Sequence, residues 1–289
     1  MYYPFLFIPI GALVGTLSGF FGIGGGIILT PLLLLLGFKP VLAVATSLMF
    51  TFGTGLSGAI THTKMNNVNW RIAAVLGIVG ALSAQASNRI VIYISGRYDW
   101  LLNVWLILML IYFAWSLYNR KNKEEAPPVF KNQYVAGSLI GLIAGFLAAL
   151  LGIGGGFIIV PLLIKWIGFD SKKAIGTSLA TIVIISIGGI VGYGAQFELN
   201  YLLGICLIIG AFIGSPFGAR MTARYQAKEI NKKLGVLYFF AIASIAVDLI
   251  ASFTIPILEW VSLGILIIFL AYMIFDFYQR RKTFKMKST

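Results

Sequence analysis

Residues 22–31 read G-I-G-G-G-I-I-L-T-P, and residues 152–161 read G-I-G-G-G-F-I-I-V-P; seven of the ten positions agree. The correspondence runs on. Gly37-Phe38 matches Gly168-Phe169 with one extra residue in the second copy, and Thr46-Ser47-Leu48 matches Thr177-Ser178-Leu179. Asn69 then precedes a further apolar run, as Asn200 does in the other half. This is one long unit present twice, not a solenoid of short repeats. Within the unit, consecutive glycines are a poor helix interior, each on the order of 1 kcal/mol worse than alanine. The stretch therefore predicts a helix break flanked by apolar helices.

Composition sets where those helices lie. Of the 289 residues, 59% are hydrophobic and 11% charged, against about 25% charged in soluble domains. The apolar, aromatic-rich chain is not disordered. With Cys206 its one cysteine it is no disulfide scaffold, and with His62 its one histidine it offers little to a metal. No metal site and no cofactor are expected. The expected fold class is an all-α polytopic membrane protein. Runs of the length a bilayer demands read as Pro4–Phe21, Val41–Ile60, Ile72–Ile94, Trp100–Leu117, Tyr134–Leu151, Ala174–Ala195, Tyr201–Ala219, Leu234–Ser252 and Trp260–Tyr278. Shorter runs, Ile27–Phe38 and Phe157–Ile167, follow the two glycine stretches. The first run lacks a basic flank and reads as a span rather than a cleavable signal. Trp70, Trp100, Trp260, Tyr98 and Tyr201 fall at span ends, as an interfacial belt requires.

The net charge of +13 is distributed unevenly. Taking loops in alternation, one set holds Lys64, Arg71, Arg120, Lys121, Lys123, Lys131, Lys165, Lys172, Lys173, Arg220, Arg224, Lys228, Lys232, Lys233, Arg280, Arg281, Lys282, Lys285 and Lys287, nineteen of the 22 basic residues. Only Lys39, Arg89 and Arg97 fall in the other. The positive-inside rule puts the larger set in the cytoplasm, so the charge marks orientation in a plasma membrane, N-terminus outside and C-terminus inside, and not nucleic-acid binding. Each glycine-rich pair of runs must then enter and leave on one side, as a re-entrant hairpin or as two crossings, and the two copies face opposite ways. The expected organisation is a first membrane repeat (1–119), a cytoplasmic linker (120–133), a second, inverted repeat (134–252), and an extra helix with a basic tail (253–289).

Inverted repeats with discontinuous helices are the architecture of many secondary transporters, whose sites lie near the midplane. A nucleotide loop is a poor alternative, because neither G-x-G-x-x-G nor a following Lys-Ser/Thr is present and no strand precedes. Helix packing accounts for Gly11, Gly15, Gly141 and Gly145, whose four-residue spacing shares a face. At Gly24, Gly25 and Gly26, and at Gly154, Gly155 and Gly156, a break would leave free N–H groups at a new helix start, an end suited to an anion. Thr46, Ser47, Thr177 and Ser178, early in the next helices, could add hydroxyls or simply bond back to their own helices. Gly25→Ala and Gly155→Ala are expected to weaken anion binding in a folded protein. Gln85, Asn88 and Arg89 in one half, and Ser215 and Arg220 in the other, are polar groups on corresponding spans; the arginines either serve a path or snorkel to an interface. Asp248 is the candidate for proton coupling. His62 is expected in a solvated loop beside Lys64, and Cys206 as a packed thiol.

The two G-I-G-G-G copies, each followed by an apolar run to Pro31 or Pro161, a Gly-Phe corner and Thr-Ser-Leu, resemble the TauE/SafE family of sulfite exporters, also called TSUP. The resemblance covers the chain from Phe5 to about Tyr278. It implies transport of a small sulfur-containing anion, such as sulfite, sulfoacetate or thiosulfate, across the membrane, with the lipid bilayer and a coupling proton or sodium ion as further partners. The first copy departs at Ala45, where the second has Gly176. An uncoupled anion channel is the alternative, and a membrane enzyme would need a nucleophile–base or metal set that the sequence does not display.

Overall fold

The structure, a computed structural model, describes residues 4–36, 38–94, 129–251 and 258–286, with 108 and 111. The expected span Trp100–Leu117 and residues 120–128 of the linker lie outside the described residues, apart from 108 and 111. In chain order the helices are α1 (Phe7–Phe21), α2 (Gly26–Leu35), α3 (Pro40–Lys64), α4 (Trp70–Ile94), α5 (Gln133–Leu151), α6 (Gly156–Leu162), α7 (Ser171–Gly194), α8 (Tyr201–Thr222), α9 (Ala227–Ala251) and α10 (Leu258–Met286). A 3-10 turn, Pro4–Leu6, precedes α1, and α6 runs on as a π turn, Leu163–Ile167. Eight of these segments are long and apolar enough to cross a membrane. With 10 residues, α2 covers about 15 Å, half the hydrocarbon core.

Local sequence sets the helix ends. Asn69 and Asn200, matched in the two halves, cap α4 and α8 by accepting from the N–H groups of Ile72 and Leu203. Asn132 and Asp170 do the same for α5 and α7, and Pro40 opens α3 where its missing N–H is harmless.

The helices pack crosswise between the halves. By the sequence match α1 corresponds to α5, α2 to α6, α3 to α7 and α4 to α8. The two most extensive contacts are α1 with α8 and α5 with α4, which the correspondence exchanges. The α4–α7 and α8–α3 contacts are a second exchanged pair, and α3 against α7 corresponds to itself. Small residues make this possible. A Cβ at Gly11 would lie 2.6 Å from the Leu207 carbonyl oxygen and one at Gly15 3.1 Å from the Ala211 Cα. In the other pair, Gly141 meets Leu76 and Gly145 meets Gly80. Backbones thus touch where side chains would hold them apart. Outward faces carry Leu82, Val191, Ile213, Phe239 and Phe275, all exposed, as lipid contact requires. Trp70, Tyr201 and Trp260 are exposed at their helix ends.

The loops rich in basic residues gather at one end. Phe130 stacks on Trp166 with ring centroids 5.2 Å apart, and Ser171 donates to Asn231 at 2.7 Å. Lys233 pairs with Asp276 at 2.7 Å and Arg280 with Glu229, tying α10 to α9. Tyr225, in the turn between α8 and α9, donates to the same Asp276 at 2.5 Å. Burial first, and then the Asp276 carboxylate, push its phenol well above the usual range. It therefore remains a donor at any physiological pH.

The close helix approach gives a test. A Cβ at Gly214 would fall against the Ala12 backbone, 2.9 Å from the Thr16 nitrogen, whereas one at Gly235 meets nothing within 4 Å. Gly214→Ala is expected to lower stability by about 1–3 kcal/mol. Gly235→Ala is expected to raise it by up to about 1 kcal/mol. Melting of the purified protein in detergent checks both.

Candidate functional site: the crossed glycine breaks

Both G-I-G-G-G stretches break their helices in the same way. Gly22 (φ 73°) and Gly152 (φ 66°) end α1 and α5 in the left-handed region, their N–H groups bonding Ser18 and Ala148. Gly24 (82°), Gly25 (76°), Gly154 (81°) and Gly155 (71°) are left-handed as well, where any other residue costs about 1–2 kcal/mol. The carbonyl of Gly25 then accepts from Ile28 and Leu29, and that of Gly155 from Ile158 and Ile159, opening α2 and α6. The N–H groups of Gly24, Gly25, Gly26 and Ile27, and of Gly154, Gly155, Gly156 and Phe157, find no acceptor among the described residues.

The two breaks cross each other. A methyl at Gly26 would strike the Gly152 carbonyl oxygen, and one at Gly156 would strike that of Gly22. A Cβ at Gly24 would lie 3.6 Å from the Gly154 Cα. Two sets of unpaired donors are therefore held side by side, each at the positive end of a helix dipole, wholly buried. A group of oxygens carrying negative charge is what such donors suit. Among the described residues no three His, Cys, Asp or Glu side chains come together that could hold a metal.

Hydroxyls hold the break carbonyls. Ser178 donates to the Gly22 carbonyl at 2.8 Å, so this expected anion ligand grips backbone of the opposite repeat. Thr177 accepts from the Asn69 N–H at 3.1 Å. Thr46 is buried on α3. Ser47, the counterpart of Ser178, is buried and its hydroxyl has no partner; the Gly152 carbonyl accepts from Thr30 instead, at 3.2 Å. Two residues missed from sequence stand at the centre: Thr51 and Thr54 both donate to the Gly24 carbonyl, at 3.0 and 3.1 Å. A Cβ at Gly154 would lie 3.0 Å from the Thr51 hydroxyl oxygen, so Thr51 touches both breaks. The Ser47, Thr51, Thr54 spacing along α3 was the signal available.

The other candidates lie elsewhere. Gln85 donates to the Gly188 carbonyl at 2.5 Å, and Asn88 to that of Gly189 at 3.5 Å, so both bind α4 to α7; the Asn88 Oδ1 is buried without a partner. Ser215 donates to the Thr54 carbonyl at 2.9 Å, joining α8 to α3. Arg89 and Arg220 are exposed, whereas the breaks are buried. Asp248 is on α9, its side chain outside the described residues. Cys206 is buried.

Two expectations need correction. His62 is not a solvated loop residue: α3 extends to Lys64, and His62 is fully buried with Nε2 3.2 Å from the Gly19 carbonyl oxygen. The loop after it explains Gly176, where a Cβ would lie against the Asn67 carbonyl oxygen and 3.0 Å from the His62 Cβ. Gly25→Ala and Gly155→Ala are expected to strain the fold as well as the anion site. Beyond the positive φ, a Cβ at Gly25 would lie 2.6 Å from the Phe50 ring, and one at Gly155 2.9 Å from the Ala144 carbonyl oxygen.

The model of the sulfite exporter TauE/SafE family matches residues 7–245. The chain belongs to the TauE/SafE family. It is a multi-pass membrane transporter of that family, and its similarity to curated members extends over most of its length. It is 29% identical over 260 residues to a probable membrane transporter protein of Methanocaldococcus jannaschii, covering 81% of this chain and 94% of that one. It is 28% identical over 251 residues to the probable membrane transporter YunE of Bacillus subtilis, covering 78% and 90%, and 29% identical over 236 residues to one from Xylella fastidiosa, covering 78% and 88%. No solved structure matches. The G-I-G-G-G pair that carries the TauE/SafE resemblance is the pair the fold crosses at its centre.

Ser47 and Ser178 separate binding from bracing. Ser178→Ala strands the Gly22 carbonyl and is expected to lower stability by about 1–3 kcal/mol. Ser47→Ala removes an unpaired buried hydroxyl, so melting should hold or rise while anion affinity falls. Thermal melting with and without anion measures both.

Proposed function

We propose that this TauE/SafE transporter carries a small anion, sulfite or an organosulfur anion such as sulfoacetate or thiosulfate, by alternating access around the crossed breaks. The observation that carries this reading is the doubled set of unpaired N–H groups at Gly24–Ile27 and Gly154–Phe157. A bound oxyanion would take hydrogen bonds that no protein group takes, and the two helix dipoles would add to its stabilisation. Thr51 and Thr54 hold the Gly24 carbonyl in place, and Ser47 is the hydroxyl still free to donate.

The mechanism follows from the exchanged packing. Residues 1–119 and 134–252 act as inverted repeats about the crossing, with 120–133 as cytoplasmic linker and 253–289 as an added helix and tail. Helix pairs α1–α8 and α5–α4 each join one helix from either repeat, so rocking would move them as two rigid arms. The α3–α7 contact between them is the natural pivot. Burial of both breaks fits an occluded arrangement, which rocking would open to either face. The gathering of basic loops at one end supports a cytoplasmic C-terminus in the plasma membrane. The sulfur-containing substrate rests on membership of the sulfite exporter family.

Purified protein in liposomes is expected to move labelled sulfite, or a sulfonate, with a rate that saturates. Unlabelled anion on the far side should accelerate it by exchange. A rate that rises without saturation, and shows no exchange, identifies a channel instead. Failure of every sulfur anion beside a carboxylate that is carried overturns the substrate class alone.

A further inference from the structure

His62 is the chain's one histidine, fully buried in the last turn of α3, and the cradle leaves it without a task. Its partners define its form. Nε2 faces the Gly19 carbonyl at 3.2 Å, which only accepts, so Nε2 carries the proton. Nδ1 faces the side-chain nitrogen of Asn67 at 3.5 Å, which only donates, so Nδ1 is bare.

The repeat gives this contact a counterpart. Tyr193 stands on α7 where His62 stands on α3, and Ala149 stands on α5 where Gly19 stands on α1. The Tyr193 hydroxyl donates to the Ala149 carbonyl at 2.7 Å. Each helix end before a break is thus braced by a donor from the long helix that follows the break in the same repeat. On one side that donor is a phenol, whose charge is constant between about pH 5 and 8; on the other it is an imidazole, the side chain that titrates in that range.

A second proton on His62 would land on Nδ1 and keep the Gly19 bond. It would then face the Asn67 amide donor, so Asn67 must turn to present its oxygen. Asn67 lies in the short 65–69 loop. There the Asn67 N–H bonds the His62 carbonyl at 2.9 Å, the Asn67 carbonyl abuts Gly176, and the Asn69 N–H bonds Thr177. Thr177 adjoins Ser178, which holds Gly22. A continuous set of contacts therefore runs from Nδ1 to the first break.

Electrostatics favour the same step when an anion is present. Gly19 is in the last turn of α1, the negative end of its dipole, which suits an imidazolium. Of the elements packed on His62, α1 and the 65–69 loop have no ionisable residue; α7 has Lys172 and Lys173 in its first turn, Tyr193 at its far end and the exposed Asp170 at its N-cap, whose carboxylate is engaged by the Lys172 and Lys173 N–H groups; and α3 itself adds Lys64. Behind α1, α8 adds Arg220, which is exposed. The negative charge that would complement a protonated His62 is then the transported anion, three residues along the chain from Gly19.

We propose that His62 is the proton-binding site of the transport cycle, taking one proton on Nδ1 in step with an anion at the adjacent break. This assigns to an imidazole the coupling that the sequence reading gave to Asp248. It rests on the anion cradle proposed above. By linkage, proton and anion each raise the other's affinity by the same factor, so anion binding tightens as pH falls.

Histidine-labelled full-length protein in nanodiscs contains one imidazole to observe. From about pH 7 to pH 3, without anion, NMR should show the Nε2–H form converting to imidazolium, and the Asn67 side-chain amide shifting with the same midpoint. An imidazole that stays neutral throughout, or titrates without a response at Asn67, overturns the proposal whatever the substrate is. Methanesulfonate, whose own charge is constant over this range, is the binding probe. Its affinity should weaken about tenfold per pH unit above the imidazole midpoint, and become flat in His62→Tyr, which copies the Tyr193 brace. His62→Gln, which keeps a donor toward Gly19, serves if the tyrosine variant does not fold. Wild-type affinity independent of pH overturns the coupling. Absence of binding by methanesulfonate, sulfite and thiosulfate at both pH limits overturns the cradle instead, and the imidazole titration still decides the proton site.

Discussion

The rest of the structure depends on two peptide segments crossing at van der Waals distance. Gly26 lies against the carbonyl of Gly152, and Gly156 against that of Gly22. Neither approach leaves room for a Cβ, and both occur where the chain runs in the left-handed region. Once the breaks cross, α1 and α5 must approach from opposite halves, and the helices that back them, α8 and α4, must each come from the other repeat. The small-residue contacts along α1–α8 and α4–α5 then hold these arms at the separation the crossing sets.

The crossing also explains where the polar groups go. Ending four helices at one buried point leaves carbonyls and N–H groups without helical partners, and burying them unpaired is expensive. Hydroxyls and rings on α3, α7 and α9 take the carbonyls: Thr51 and Thr54 at Gly24, Ser178 at Gly22, Tyr193 at Ala149 and Tyr238 at Phe157. The carbonyls are held, while the N–H groups of the breaks are not. That imbalance leaves spare donors at the centre, the groups that suit negative charge. It arises because helix starts present donors and the surrounding side chains are themselves mostly donors.

The two halves share their backbone and differ in their side chains. Thr51 and Thr54 on α3 correspond to Ile182 and Ile185 on α7, and His62 corresponds to Tyr193. The framework is two-fold, but the polar wall and the titratable group belong to one repeat.

The apolar runs, the glycine repeat and the asymmetry of basic residues determined by themselves a polytopic helical membrane protein with paired helix breaks, because each depends on composition or on order along the chain. The packing glycines at 11, 15, 141 and 145 were legible for the same reason, from spacing on one helix face. What the side chains do was decided by the tertiary structure. Ser47 and Ser178 are identical in motif, yet one is unpaired and the other grips Gly22, while Thr30 takes the Gly152 carbonyl. His62 lies near a basic loop residue in sequence, but α3 continues past it and α1 and α7 close over it. Partners more than 40 residues away determine these differences, and no local pattern records which of them arrives.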